Sequence, residues 1–499
     1  SVFRYLPMRS KPISLLKITM VRAFNTWRAA GHLSSDLVWA RIHLAINSGE
    51  TALAKYLKRF VDASERSDVD LWIKTRTNPD RVAALKLYPD SDPRSHKALV
   101  AGLQFLARRD PQKAAEIWAR AFPSRQWAQA DVISIERQIG LSLAYKHNPD
   151  AIEWLSRVPH ETDEQVREWR VLSALRHEKW AIALKWLSQM TEEEINDPRW
   201  RYWRARGHES LGNLSQSSAL LADLAQERSY YGFLAADRLD LPYAFNQQAL
   251  VFTESDLNVI AELPGIVRAK ELYALQRWPD ARREWRFVTG SLSDEQAAMA
   301  AKIAQHWGWH ARAILTIAAT PYYDDLVLRF PTPHQFHVSR RSTDYGLDQA
   351  WVFAVARQES AFMPDARSGK GALGLMQIMP ATANDIAKKL KIVGFKTRNL
   401  LNSDTNIRFG SWYLSDLLKR MNRHRVLAIA GYNAGPHRTR RWLPDGGELD
   451  ADIWIETIPF RETRRYVRRV LAYTAIYEML LGDRLTRLSA KLPPVPRSL

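Results

Sequence analysis

Through the first 330 residues, apolar side chains recur three and four positions apart, and short polar breaks separate the runs. That period places them on one face of successive α-helices, and no alternating series of strand type interrupts them. The breaks themselves recur. Asp110-Pro111, Asn148-Pro149, His177-Glu178 and Gly212-Asn213 each divide a helical pair such as LVAGLQFLA and AAEIWARAF. Over the three intervals from 110 to 213 the mean period is about 34 residues, the length of one helix-turn-helix unit in an α-solenoid. Trp118, Trp154, Trp169, Trp180, Trp186, Trp200 and Trp203 fall within these helices, where packing between repeats is the expected use of large flat rings. A less regular stretch around 241–252 precedes two more hairpins, with breaks near 277–280 and 308–310. The segment FPTPHQF (Phe330 to Phe336) then ends the pattern. The chain is expected to be mostly α, with a superhelical repeat (solenoid) domain over 1–240, a helical linker over 241–330 and a final domain over 331–499.

That final domain changes character. In LDQAWVFAVARQESAFMP, which reads as one helix, Leu347, Trp351 and Val355 form an apolar stripe spaced by four, and Glu359 is its next member. A carboxylate continuing an apolar face near a helix C-terminus loses hydration and meets the negative end of the helix dipole. Both effects raise its pKa, as a general acid near neutral pH requires. Pro364 limits further helix and leaves Glu359 near its end, at a cleft edge. Downstream, Gly369, Gly371 and Gly374 satisfy GxGxxG, but the match follows a helix, lacks a βαβ unit, and has no acidic residue about 20 positions on. These glycines are expected to shape a turn or hairpin, with Met376, Gln377 and Met379 lining a cleft before a helix that starts near Pro380.

Composition narrows the partners. A length of 499 residues exceeds what one core organises, and no apolar run approaches the roughly 20 residues that cross a bilayer. With no cysteine, thiol chemistry and cysteine-ligated metal sites are excluded, and no cofactor is expected. The net charge is +18, and residues 331–499 hold 27 Lys and Arg against 15 Asp and Glu. Such a field favours an anionic polymer, while no nucleic-acid-binding motif is present. The chain opens SVFRYLPMRSKPIS, without an initiator Met or a signal-like segment, so compartment is not legible there.

Four segments combine these signals: ARQESAF, GLMQIMP, GYNAGP and ETIPFRETRRYV, in that order. Together they resemble the lytic transglycosylases of glycoside hydrolase family 23, and the helical repeats resemble the superhelical U-shaped and linker domains of its soluble members. The resemblance implies a lysozyme-like catalytic domain with a small β element, and Glu359 as the catalytic acid/base. It implies substrate contacts by Ser360, Ser368, Gln377, Met379, Thr382, Tyr432, Asn433, Glu456 and Tyr466, with Glu456 able to act on the pKa of Glu359 or to face it across the cleft. It further implies peptidoglycan glycan strands as substrate, a periplasmic location and other cell-wall enzymes as partners. The reaction implied cleaves the β-1,4 bond between N-acetylmuramic acid and N-acetylglucosamine without water, giving 1,6-anhydromuramoyl ends. A goose-type muramidase that uses water, and a non-catalytic helical-repeat scaffold that binds glycan, are the competing readings. Gly431, where the family commonly has alanine, and Leu373, where some members have serine, are the departures from the family's pattern.

Overall fold

The computed structural model describes residues 26, 30, 33–159, 161 and 163–499. The opening segment of the expected 1–240 domain lies outside them. Contacts divide the chain into two compact units, Ser1–Trp169 and Arg170–Leu499. The division falls within the helix Glu164–Arg176.

The first unit is a run of antiparallel helix pairs, among them Ser35–Asn47 with Thr51–Leu57, Pro93–Arg109 with Pro111–Ala121, and Gln129–Tyr145 with Ala151–Ser156. The Asp-Pro break is a helix start. Asp110 accepts the Lys113 amide at 3.2 Å, and Pro111, which has no N–H to leave unsatisfied, occupies the first helical position. Asp92-Pro93 repeats the device, Asp92 accepting from the amides of Arg94 and Ser95. Trp118 and Trp169 are buried, as packing between repeats requires. Trp154 is only half-buried.

The second unit continues with helical pairs, then a chain segment without regular structure from 241 to 253, then two hairpins, Pro264–Ala274 with Trp278–Thr289 and Asp294–His306 with His310–Ile317. These two bury Ile266, Trp285, Ala301 and Ile317 between them. Five hairpins, drawn from both units, close with the same turn. His147, Glu178, Gly212, Gln276 and Gly308 all have left-handed backbone, and the next residue's N–H bonds back five positions, as in Lys179 to Ala174 at 2.8 Å and Trp309 to Ala304 at 2.8 Å. This is the Schellman closure, which satisfies helix-end carbonyls that would otherwise face no donor.

From 335 onward, helices Gln335–Tyr345, Gln349–Ser360, Pro380–Lys389, Ser403–Arg420, Arg425–Ala434, Ala451–Glu456 and Arg461–Leu481 form the last part of the second unit. Trp351, Phe353, Val355, Ile429 and Val470 are buried in its core. The β element is small: Glu448–Leu449 pairs antiparallel with Val495–Pro496, and Leu373 bridges to both Arg367 and Ile378. Among the described residues no helix is long and apolar enough to cross a membrane.

Two details differ from expectation. The acid-bearing helix stops at Ser360, before Pro364, because Ala361 and Phe362 both adopt left-handed backbone. Met376 points into the core rather than the cleft. It is fully buried, and a Cβ on Gly410 would lie 2.3 Å from its sulfur, so glycine is what lets the Ser403–Arg420 helix approach.

Candidate active site

The glycine segment after the acid helix is a compact hairpin organised by Asn406. Its amide nitrogen donates to the carbonyls of Leu373 and Leu400 at 2.9 and 2.8 Å, and its oxygen accepts the Met376 amide at 2.7 Å. Gly374 has φ +76°, and a Cβ there would stand 2.3 Å from the Leu400 carbonyl oxygen. Both the backbone conformation and the space therefore require glycine. Ser360 ties this hairpin to the acid helix, its hydroxyl donating to the Leu375 carbonyl at 2.7 Å and accepting the Met363 amide at 3.2 Å.

Glu359 lies in the last turn of its helix, half-buried, on a cleft of about 530 Å³ lined also by Gln358, Ser368, Gln377, Asn433 and Tyr466. The Tyr466 hydroxyl donates to Glu359 Oε1 at 2.7 Å. Burial pushes the Glu359 pKa up, the Tyr466 hydrogen bond pulls it back, and the Glu462 carboxylate raises it again, leaving it at about 7. A carboxyl with that value can donate a proton near neutral pH and take one back. The phenols of Tyr432 and Tyr466 are held protonated, first by burial and then by the charge of Glu359.

The expected site residues divide. Ser368, Gln377, Asn433 and Tyr466 line the cleft with Glu359. Asn433 is oriented by the Thr463 hydroxyl, which donates to it at 2.7 Å, and Gln377, at φ +48°, donates to the Gly374 carbonyl at 2.8 Å. Tyr432 donates to the Met376 carbonyl at 2.8 Å and so joins the Arg425–Ala434 helix to the hairpin. Ser360 has the structural bonds given above. Met379 is exposed at the start of the Pro380–Lys389 helix and Thr382 is half-buried in its first turn, neither among the residues lining the cleft.

Glu456 is a correction. Expected at the cleft, it is 1% exposed and ion-paired to Arg199 Nε at 2.5 Å and Arg468 Nη1 at 3.6 Å, with the Tyr231 hydroxyl donating to it. Burial works to raise its pKa, but Arg199, Arg468 and Arg464, with the Tyr231 bond, outweigh it and hold the carboxyl down to about 2. The carboxylate that acts on Glu359 is Glu462, which lines the cleft with Arg461, Arg465 and Arg469. Sequence reasoning missed these four. The signal was the spacing of four between the three arginines, aligned with Glu462 and Tyr466 on one helix.

Removing the Tyr466 hydroxyl gives a direct check on the acid. Tyr466→Phe deletes a bond that favours the ionised carboxylate, so the alkaline limb of the pH–kcat profile is expected to move to higher pH. kcat is expected to fall about tenfold from lost positioning. An unmoved limb would disconnect Tyr466 from the acid.

The Transglycosylase SLT domain family matches residues 337–455, the Soluble lytic murein transglycosylase L domain family 259–326, and the Soluble lytic transglycosylase helical domain family 457–485. The chain is 30% identical over 490 residues to the soluble lytic murein transglycosylase of Escherichia coli (strain K12), covering 94% of this chain and 73% of that protein. With the Salmonella typhimurium protein of the same name it shares 30% over 486 residues, 93% and 72% of the two chains. Among solved structures it is similar to an inactive Glu-to-Gln mutant of lytic transglycosylase Slt from Pseudomonas aeruginosa, with TM-score 0.86 and 35% identity over 96% of this chain and 77% of that one. It is also similar to a 70-kDa soluble lytic transglycosylase in complex with bulgecin A, with TM-score 0.80 and 27% identity over 98% and 78% of the chains.

Proposed function

Because the chain belongs to the soluble lytic murein transglycosylases, an enzyme family acting on peptidoglycan, we propose that Glu359 alone serves as its acid and base. The protonated carboxyl donates to the glycosidic oxygen between N-acetylmuramic acid and N-acetylglucosamine, and the C1–O bond breaks as positive charge develops at C1. The ionised carboxylate then takes the proton of the muramoyl C6 hydroxyl, whose oxygen closes on C1. The product is a 1,6-anhydromuramoyl end, and the proton balance returns Glu359 to its starting state. No water enters. The single observation that carries this reading is the Glu359 carboxyl itself, raised to about 7 and held by Tyr466 at 2.7 Å on the wall of an open cleft. That a relative similar in structure is an inactive Glu-to-Gln mutant fits it.

Ser368, Gln377 and Asn433 position glycan along the cleft, while Ser360 and Tyr432 hold the hairpin that carries Gln377. Met379 and Thr382, at the start of the Pro380–Lys389 helix, meet glycan that runs on beyond the cleft lining. In the division of labour proposed here, residues 1–240 wrap or guide strands as an α-superhelical U-shaped domain, 241–330 form the linker and 331–499 do the chemistry. The work is placed in the periplasm, alongside other cell-wall enzymes.

One observation favours a second reading. Glu462 lines the same cleft, and a second carboxylate across a glycosidic bond can activate water, as a hydrolytic muramidase requires. Mass spectrometry of products from purified sacculi decides between them. The expected outcome is muramoyl ends lighter by one water than reducing ends. A profile of reducing muramic acid would establish hydrolysis and sink the anhydro route.

A further inference from the structure

Where the two hairpins of the second unit meet the turn that follows the acid helix, a cavity of about 360 Å³ remains. It shares no lining residue with the cleft that holds Glu359. Tyr273, Trp278, Trp309 and Phe362 supply its apolar wall, and Arg282 and His310 its polar one. Tyr273 stacks on Trp309 with ring centroids 4.6 Å apart, whereas the half-buried Trp278 has no ring or cation against it among the described residues. The Nδ1 of His310 is buried and has no hydrogen-bond partner among them. Burial, and then the nearby His334, lowers the His310 pKa, so the ring is a neutral imidazole that can donate and accept, as hydroxyl groups need.

Charge at this cavity does not balance. Trp278, Arg282 and Arg286 follow one another at a spacing of four along their helix, about 6 Å per step. Asp365 neutralises Arg282 through two bonds of 2.9 Å. Beside that pair lies Arg312, 7% exposed, its guanidinium 5.7 Å from the centre of the Trp309 ring. Arg312 forms no ion pair or hydrogen bond among the described residues. Burial pulls its pKa down to about 10, with Arg286 and Arg282 acting in the same direction, so it remains a cation at neutral pH. A buried cation whose strongest electrostatic neighbours are themselves cations lacks an anion. The cavity of about 270 Å³ near Tyr202 shows the contrast, since Arg206 and Arg238 there are paired to Asp452 and Glu209.

We propose that this cavity is a second sugar site, which takes a peptide-free muramoyl residue: the ring lies on Trp278, its hydroxyls meet His310, and its lactyl carboxylate reaches Arg312 and Arg286 past Arg282. The proposal rests on the reading that the protein acts on peptidoglycan. Of the two aminosugars in that polymer only the muramoyl one carries a carboxyl, and the group is ionised only where no peptide is joined to it. An aromatic ring offers a flat apolar face to a pyranose, and guanidinium forks take carboxylates in a bidentate way. In muramic acid the ring and the carboxylate are a few bonds apart, which suits the single helical turn between Trp278 and Arg282. A strand held here stays near the acid, because Phe362 and Asp365 follow Glu359 by three and six residues. Inorganic phosphate is the other compact anion that such arginines take, and the test separates the two.

The full chain is labelled with fluorotryptophan, and the Trp278 signal is identified in the fluorine NMR spectrum by its loss in Trp278→Phe. N-acetylmuramic acid is expected to move that signal saturably, and N-acetylglucosamine, which has no carboxyl, to need roughly tenfold more. Arg312→Gln is expected to weaken N-acetylmuramic acid about tenfold and to leave N-acetylglucosamine as it was, erasing the difference between the sugars. Should that variant fold poorly, Arg286→Gln at an exposed position decides, with an expected loss of about threefold. Arg398→Gln, exposed and outside the cavity, is expected to behave as the parent. A Trp278 signal that stays still with N-acetylmuramic acid, or equal binding of the two sugars by the parent, overturns the proposal. So does displacement of N-acetylmuramic acid by equimolar inorganic phosphate, which would make this a site for any small anion. Binding is read at equilibrium without turnover, so this result and the product profile that tests the transglycosylase chemistry fail independently.

Discussion

Glu359→Gln is expected to lower turnover of peptidoglycan about a thousandfold or more while the protein stays folded and still binds glycan strands. Glutamine keeps the shape and can still accept the Tyr466 hydroxyl, but it has no proton to give the leaving oxygen and no charge with which to retrieve one. In the mechanism proposed above, both halves of the reaction pass through this one carboxyl, so no other group is expected to offset the loss. Release of muropeptides, with binding of the variant to sacculi measured by sedimentation, checks the two parts separately. A variant that digests sacculi as fast as the parent would remove Glu359 from the chemistry. In the parent, activity is expected to fall as pH rises through about 7, because the proton-donating form of Glu359 is lost there.

Glu456→Gln is expected to destabilise the second unit by about 3–5 kcal/mol, because it leaves Arg199 and Arg468 facing a buried neutral amide. Urea unfolding followed by tryptophan fluorescence reads this as a lower midpoint. The pH dependence follows from the direction of the shift. The Glu456 carboxyl is depressed to about 2 in the folded protein, against about 4.5 for an unperturbed glutamate, so the native state binds its proton less readily than the unfolded chain. Its stabilisation is fully present above about pH 4.5 and is lost as pH falls toward 2. The stability difference between parent and variant is therefore expected to shrink across that acid interval. A difference that stays constant there would show that the ion cluster is not its source.

These two glutamates show what a sequence reveals and what it withholds. Glu359 could be singled out because the features that mark it are local: the stripe through Trp351 and Val355, the helix end, and the turn that follows; Tyr466 and Glu462, which tune its proton affinity, are brought to it only by the fold. The helical breaks were legible for the same reason, since a capping aspartate followed by proline, or a left-handed residue at a helix end, acts within a few residues. Glu456 was misplaced because its surroundings are not local. Arg199 stands 257 residues away in the sequence and Tyr231 stands 225 away, and nothing in WIETIPF signals that those side chains will close over it. Asn406 escaped notice likewise, since its three bonds go to backbone atoms of a hairpin that only the tertiary fold brings to it. The arginine row lay between these cases. Its spacing was visible, but whether it met solvent or a cleft depended on what packed beside the helix.

The ion cluster also bears on how far the catalytic part could be excised. Asp452 and Glu456, both buried, take cationic partners from Arg206 and Arg199, and phenolic donors from Tyr202 and Tyr231. All four partners precede residue 240. A fragment cut at the Pro-rich segment near 331 would retain both acids and forfeit these partners, exposing to water a surface built to be dry. Such a fragment is therefore expected to be less stable than the same residues within the whole chain.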